Sequence, residues 1–532
     1  MSTPLPRSAL LERLRAPVEW DLAVIGGGSV GLGVALDAAA RGFSVVLVES
    51  HDFASGTSSR ATKLAHGGVR YLAQGDIPLV REALHERGAI LANAPHVAHR
   101  LAFVMPGYRW WERAFYGTGL KAYDALAGRH GLGGTEWLSA RRTIELLPGV
   151  QPRGPLGALH GGVLYWDGQF DDARLALLLA RTAAERGALV VNHCAVTGLV
   201  HERGQVRGLH VRCADSGEVV TLRARCVVNA TGVWVDAVRA LDVEPGAPAP
   251  APMLAPSQGV HLVVDRAFLP GTHALMVPKT EDGRVLFAVP WLGKTILGTT
   301  DTPRQDLARE PEPFAEEVAF ILREAGRYLV RAPQRADVRS VWVGLRPLVK
   351  PLGADAGNTK ALSREHTVLI GASGLVTVTG GKWTTYRSMA EDVLDRAMTR
   401  GLLPRRAAGV TARLKLVGAA PGRPLSEPPG EHLYGSEAAL LRGLPGAGNW
   451  LWRDPETGCG GLSEAMVRFA VRFEMAGDVE DILARRSRLL FLDAAEAARQ
   501  ADAVAELLAQ ELGHAVDSSA FKALARRYQQ LP

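Results

Sequence analysis

The chain of 532 residues has only four cysteines, Cys194, Cys213, Cys226 and Cys459, none in a C-x-x-C or histidine-rich spacing. A disulfide framework, a zinc centre and an iron–sulfur centre are therefore not expected, no metal ligands are assigned, and a reducing compartment fits. No apolar run reaches the ~18–20 residues that cross a bilayer, which leaves peripheral attachment open. Glu12, Arg13 and Arg15 interrupt the one leucine-rich stretch near the start, so a secretory signal is not expected. Strong charge imbalance is missing too: 61 Lys and Arg face 55 Asp and Glu, with a pI near 9.2. That mild excess suits an anionic substrate or an anionic membrane surface and gives no ground for a nucleic-acid partner. Apolar residues make up 47% of the chain, ample core for two or three globular domains.

Glycine, by contrast, is placed with purpose. Asp21 to Ser50 reads DLAVIGGGSVGLGVALDAAARGFSVVLVES. The apolar run Leu22–Ile25 suits a buried parallel strand, and Gly26, Gly28 and Gly31 follow in the spacing G-x-G-x-x-G before an alanine-rich helix. In that arrangement Gly26 allows a tight turn, Gly28 lets the backbone approach a pyrophosphate, and Gly31 lets helix and strand pack closely. The helix N-terminus offers N–H groups and partial positive charge to the same anion. Val45–Val48 is a second strand, and Glu49, 21 residues after Gly28, is placed to bind a ribose diol. The stretch predicts a dinucleotide cradle without saying which dinucleotide.

Further along, Ser55 to Leu72 is a Gly/Ser/Thr-rich segment that reads as a loop packed on a ligand. A helix is expected over 76–92. From Gly107 to His130, Trp110, Trp111, Phe115 and Tyr116 alternate with Arg109, Arg113 and Lys121, a mixture that suits either core contacts or a membrane interface. The strand Cys226–Asn229 breaks at Asn229-Ala230-Thr231-Gly232. A Pro/Ala-rich crossing, Glu244 to Pro256, leads to alternating strands of an antiparallel sheet. Thr367 to Gly371 reads as a last parallel strand, and Gly374 to Arg387 as another glycine turn entering a helix. After a Pro/Gly-rich linker the chain is helical, with Asp478 as a helix cap.

Three glycine-centred segments, 26–31, 229–232 and 374–387, thus stand more than a hundred residues apart. A nicotinamide needs only the first, whereas an extended FAD needs close backbone approach at several points. With IGGG-x-x-G, TSSRATKLAHGGVRYL, VNATG-x-W, LGTTD, GLRPL, GGKWTTYR and ARRSR in this order, the chain resembles the FAD-dependent, quinone-linked glycerol-3-phosphate dehydrogenases over nearly its full length.

The resemblance implies an α/β fold: a Rossmann-like FAD-binding domain (1–92, 160–243 and 360–400) interleaved with a mixed or antiparallel-sheet substrate domain (93–159 and 244–359). A linker (401–430) and an all-helical C-terminal domain (431–532) complete it. It implies oxidation of sn-glycerol 3-phosphate to dihydroxyacetone phosphate, with electrons passed through FAD to a membrane quinone. The expected setting is the cytoplasmic face of the inner membrane, peripherally bound, with a homodimer as a further partner. His66, His261 and Lys382 are implied as catalytic, with either histidine as the base. Arg70, Tyr71, Thr299, Arg346 and Arg364 are implied to hold substrate. The cofactor positions are Gly26, Gly28, Gly31, Glu49, Thr57, Ser58, Ser59, Ala230, Thr231, Gly232, Gly380, Gly381, Lys382 and Thr384. These residue types fit: arginine forks and a lysine point charge suit a phosphate dianion, and a histidine titrating near ~6.5 suits proton removal at neutral pH. Ala61-Thr62 and Gln258-Gly259-Val260 depart from the commoner wording of the family. An oxygen-reducing oxidase of the same substrate is the nearest rival, and no long insertion of the kind such oxidases carry is evident. An amino-acid or hydroxy-acid oxidoreductase of the same flavin fold is the other.

Overall fold

The apolar run Leu22–Ile25 is buried in the strand Glu19–Ile25, at the centre of an eight-stranded sheet. The computed structural model describes residues 4–69, 72, 75–243, 248, 250–350, 366–407 and 409–532. Val45–Val48 lies parallel to the central strand on one side and Leu189–Val191 lies beyond it. On the other side Val219–Asn229 is parallel to it, and its end also takes Val376–Gly380 as a parallel partner. Ile25, Val48, Asn229 and Gly380 thus bring four parallel strands to a common carboxyl edge, where ligands of such sheets bind. Cys194–Glu202 and Gln205–Cys213 extend the sheet as an antiparallel meander. The helix Ser29–Ala40 packs on this sheet between the helices Asp172–Glu185 and Tyr386–Thr399.

The expected parallel strand at Thr367–Gly371 is instead His366–Ile370, antiparallel to Val376–Gly380. Gly374 (φ +83°) closes a tight turn in which the Gly371 N–H donates to the Leu375 carbonyl at 3.0 Å, so the chain doubles back at once. An apolar run carries no sign of its direction; the turn sets it. Cys194 and Cys213, 19 residues apart, face each other across the meander with sulfurs 3.6 Å apart as free thiols.

The second sheet has ten strands and is mixed. Ser257–Asp265 sits antiparallel between Lys294–Gly298 and Ser340–Arg346, while Ala98–Gly107 runs parallel to Ala274–Val277. Along Ser257–Asp265 alternation divides the side chains. Val260, Leu262 and Val264 pack under the helix Ala315–Tyr328, and His261 and Val263 face the opposite side. That side is roofed by the C-terminal helices Glu464–Glu474, Leu489–Leu492, Ala494–Leu512 and Ser519–Gln529, which are accompanied by one short hairpin, Trp450–Arg453 with Gly461–Ser463. Asp478 accepts the Asp481 N–H at 2.8 Å and so caps the following turn.

The aromatic stretch divides between core and surface. In the helix Glu112–Ala127, Leu120 and Tyr123 are buried, whereas Trp110 is 82% and Phe115 66% exposed, with Arg109, Arg113 and Lys121 exposed around them. Among the described residues no helix is long and apolar enough to cross a membrane.

Candidate active site

At the carboxyl edge of the first sheet the glycine turn does what its spacing predicted. Gly26 has φ +107°, and a Cβ there would stand 2.8 Å from the Ala230 carbonyl oxygen. A Cβ on Gly31 would stand 2.0 Å from the Gly26 carbonyl oxygen, so helix and turn touch backbone to backbone. Glu49 accepts the Gly27 N–H at 2.7 Å on one oxygen and the His51 N–H at 2.9 Å on the other. The carboxylate is thereby fixed at the mouth of the cradle. Asn229 stiffens the second turn, accepting the Thr231 hydroxyl at 2.7 Å and donating to the Val235 carbonyl at 2.9 Å. At the third turn Gly380 and Gly381 both have positive φ, and a Cβ on Gly381 would meet the Met389 sulfur at 2.5 Å.

A cavity of about 430 Å³ runs between these turns. Of the sequence-assigned cofactor residues, Gly26, Gly28, Glu49, Thr57, Ser58, Ala230, Thr231, Gly232, Gly380, Gly381 and Lys382 line it. Gly31 lies beneath it. Ser59 is buried away from it, and Thr384 borders the neighbouring cavity instead. Ser58 accepts the Ser29 N–H at 2.9 Å, tying the 55–60 loop to the first turn of the helix. The cradle fits an FAD: three turns built on positive-φ glycines (Gly26, Gly232 and Gly380-Gly381), an oriented acid and a helix N-terminus follow one another along the cavity.

A second cavity, about 330 Å³, meets the first at Thr57, Pro347, Gly381, Lys382 and Trp383. His66, His261, Thr299, Arg346 and Lys382 all line it. Arg70, Tyr71 and Arg364 lie outside the described residues. Arg346 is held by Asp301 at 3.0 Å and by the carbonyls of Gln258 and Thr300 at 3.2 and 2.9 Å. His261 stacks on Trp342, ring centroids 5.3 Å apart, and its Nε2 pairs with the Thr62 hydroxyl at 2.9 Å. Burial first, then the cations Lys63 and Arg346, hold its imidazole well below the ordinary histidine range. It is therefore neutral at physiological pH.

Several contributors escaped the sequence. Thr62, a departure from the family wording, is a direct partner of His261. Trp383 donates to the Ser58 carbonyl at 2.9 Å and borders the junction of the two cavities. Arg60, Asp301 and Arg284 also border the second cavity. Arg60 and Asp301 stood inside motifs quoted for the resemblance; Arg284 carried no local signal.

Fold and cradle together define a flavin-dependent oxidoreductase. A family model described as FAD dependent oxidoreductase matches residues 21–387, and one described as the C-terminal domain of alpha-glycerophosphate oxidase matches residues 367–518. The mitochondrial glycerol-3-phosphate dehydrogenase of Arabidopsis thaliana is 41% identical, over 92% of this chain and 82% of that protein. Its Homo sapiens counterpart is 40% identical over 96% and 73%. The glycerol-3-phosphate dehydrogenase from Bacillus halodurans, solved with FAD, superposes with a TM-score of 0.75 over 98% of each chain at 28% identity. The chain belongs to the family of FAD-dependent glycerol-3-phosphate dehydrogenases. Glycine oxidase from Geobacillus kaustophilus, at 20% identity and a TM-score of 0.52, shares the fold alone.

Proposed function

We propose that this protein oxidises sn-glycerol 3-phosphate at C2 to dihydroxyacetone phosphate and passes the electrons to a quinone. One observation carries the reading: two histidines and four cationic residues, Arg346 and Lys382 among them, line a cavity that opens directly onto the FAD cradle. Bound FAD supplies the hydride acceptor. Arg346 and Lys382 serve the phosphate dianion, with Arg70 and Arg364 in the same role and Tyr71 beside them. Arg346, its fork already engaged by Asp301 and two carbonyls, is held in place before substrate arrives. Thr299, on the same cavity wall, hydrogen-bonds substrate oxygens.

His66 is the base that takes the C2 hydroxyl proton. The competing histidine, His261, is a weak base because burial and two nearby cations oppose its protonation. Its neutral ring orients the hydroxyl instead. Lys382, bordering both cavities, also stabilises negative charge on the reduced cofactor.

The exposed Trp110 and Phe115 among basic side chains support peripheral attachment to the anionic cytoplasmic face of a membrane, where a quinone is available. Reoxidation tests the acceptor. Enzyme reduced by glycerol 3-phosphate should be reoxidised faster by a soluble quinone than by oxygen; the reverse order would make it an oxidase.

A further inference from the structure

The loop that wraps the cofactor is fastened from outside its own domain. It runs from Asp52, just past the strand Val45–Val48, to Lys63, just before Leu64–Ala65, and carries Thr57 and Ser58 on the cradle and Thr62 on His261. Both of its ends are gripped by one short segment of the C-terminal domain. At the first end Arg485 and Arg486 both pair with Asp52, Arg486 with a contact of 3.0 Å to the second carboxylate oxygen. At the other end Arg488 donates to the Ser59 carbonyl at 2.8 Å and to Asp172 at 3.2 Å.

Asp172 in turn accepts the Ala61 N–H at 3.1 Å and the Lys63 ammonium at 2.7 Å, and Lys63 returns to the Ser59 carbonyl at 2.6 Å. Lys63, Asp171, Asp172 and Arg488 are all without solvent contact, and their formal charges sum to zero. Arg488 stacks on Phe491 at 4.2 Å and sits in a left-handed backbone position (φ +65°), so the helical domain fixes where its guanidinium lies. Asp52, His193 and Asp481 converge as metal ligands would, but Arg485 and Arg486 already neutralise the carboxylates.

We propose that Arg488 is a positioning residue for FAD: with Arg485 and Arg486 it holds both ends of the Asp52–Lys63 loop in the shape that closes over the cofactor. The C-terminal domain thereby controls how long FAD stays bound and how Thr62 presents His261. Without Arg488 the two buried carboxylates Asp171 and Asp172 keep only Lys63 as a cation; buried charge short of its partner reorganises its surroundings, and here those surroundings are the loop itself. The inference rests on FAD occupying the cradle and is independent of the substrate.

The test measures FAD dissociation from holoenzyme without any glycerol 3-phosphate, so an error in the proposed substrate cannot alter its outcome. Arg488→Met should release FAD at least tenfold faster than wild type. Arg488→Lys, which keeps a second cation beside Asp171 and Asp172, should recover to within threefold. Leu508→Ala creates a cavity in the helix Ala494–Leu512, which among the described residues makes no hydrogen bond or ion pair to the loop, and should leave FAD release unchanged even where its melting temperature falls as far. Release from Arg488→Met at the wild-type rate, or no faster than from Leu508→Ala, overturns the proposal. Should Arg488→Met fail to fold, Arg485→Gln reads the other end of the loop while Arg486 stays on Asp52. Accelerated release is expected there too, and a wild-type rate in that variant would equally refute the idea.

Discussion

Replacing Gly31 by alanine adds one methyl group at the closest contact in the cradle. Its Cβ would lie 2.0 Å from the Gly26 carbonyl oxygen, where ordinary contact begins near 3.4 Å, so helix or turn must give by about 1.4 Å. The turn is not free to do so: the Gly26 N–H donates to Val48 and the Ala230 N–H to Ile25, both at 2.9 Å. The helix Ser29–Ala40 must retreat instead, although ten of its twelve residues are buried. Overpacking of this kind costs about 1–3 kcal/mol, offset by about 1 kcal/mol of helix preference for alanine over glycine. Stability of the apoprotein should therefore fall by about 2 kcal/mol at most. FAD binding should suffer as well, because the retreat carries the helix N-terminus away from the pyrophosphate; a loss of about 1.4 kcal/mol is tenfold in Kd. Gly119→Ala is the control. It lies in the exposed helix Glu112–Ala127 with nothing within 4 Å of its added Cβ, and should gain up to about 1 kcal/mol with FAD affinity unchanged. Fluorescence quenching on titrating FAD into each apoprotein gives the Kd. A Gly31→Ala protein that binds FAD as tightly as wild type would refute the assignment of this turn to the pyrophosphate.

The histidines separate by substitution: His66→Gln should lower kcat by about 10²–10⁴ with FAD retained, and His261→Gln by much less. The reverse ranking would move the base to His261. His193 titrates where the first sheet meets the C-terminal segment: burial alone would lower it, but contact with Asp481, with Asp52 and Asp478 behind, raises it to about 9. Because the folded form holds this proton more tightly, its contribution to stability is complete below ~6.5 and is lost as pH rises through about 9. Melting temperature should therefore decline across that window, and His193→Gln should flatten the decline; an unaltered profile in the variant would count against the pair. Trp110→Ser with Phe115→Ser should abolish co-sedimentation with anionic vesicles at low salt, and retained binding would exclude this surface as the attachment site.

The cradle was legible because its chemistry is local. The strand Leu22–Ile25, the glycines after it and Glu49 lie within thirty residues, and Gly26 and Gly31 are demanded by backbone contacts that a side chain would block. The second and third turns could be read because their glycines take positive φ, a local demand too, and the structure places them on one cavity with the first. Motif order brought His66, His261, Arg346 and Lys382 to one cavity, although the distances between them in the chain reveal no geometry. Direction and long-range charge pairing were not legible. His366–Ile370 looks like any buried strand until the turn at Gly374 reverses it. Arg488 finds Asp172 across 316 residues and Arg486 finds Asp52 across 434, and neither partner carries a mark in the sequence. The aromatic stretch held both core and surface residues, since helical spacing puts Leu120 and Tyr123 on one face and Phe115 on another.

The central claim is that hydride leaves C2 of glycerol 3-phosphate for the bound flavin. Anaerobic stopped-flow mixing of the yellow holoenzyme with glycerol 3-phosphate, unlabelled or deuterated at C2, follows that step alone. The expected result is bleaching of the flavin absorbance by one equivalent of substrate, slowed several-fold by deuterium. A flavin that stays oxidised, or bleaching indifferent to the label while chemistry limits it, would contradict the claim.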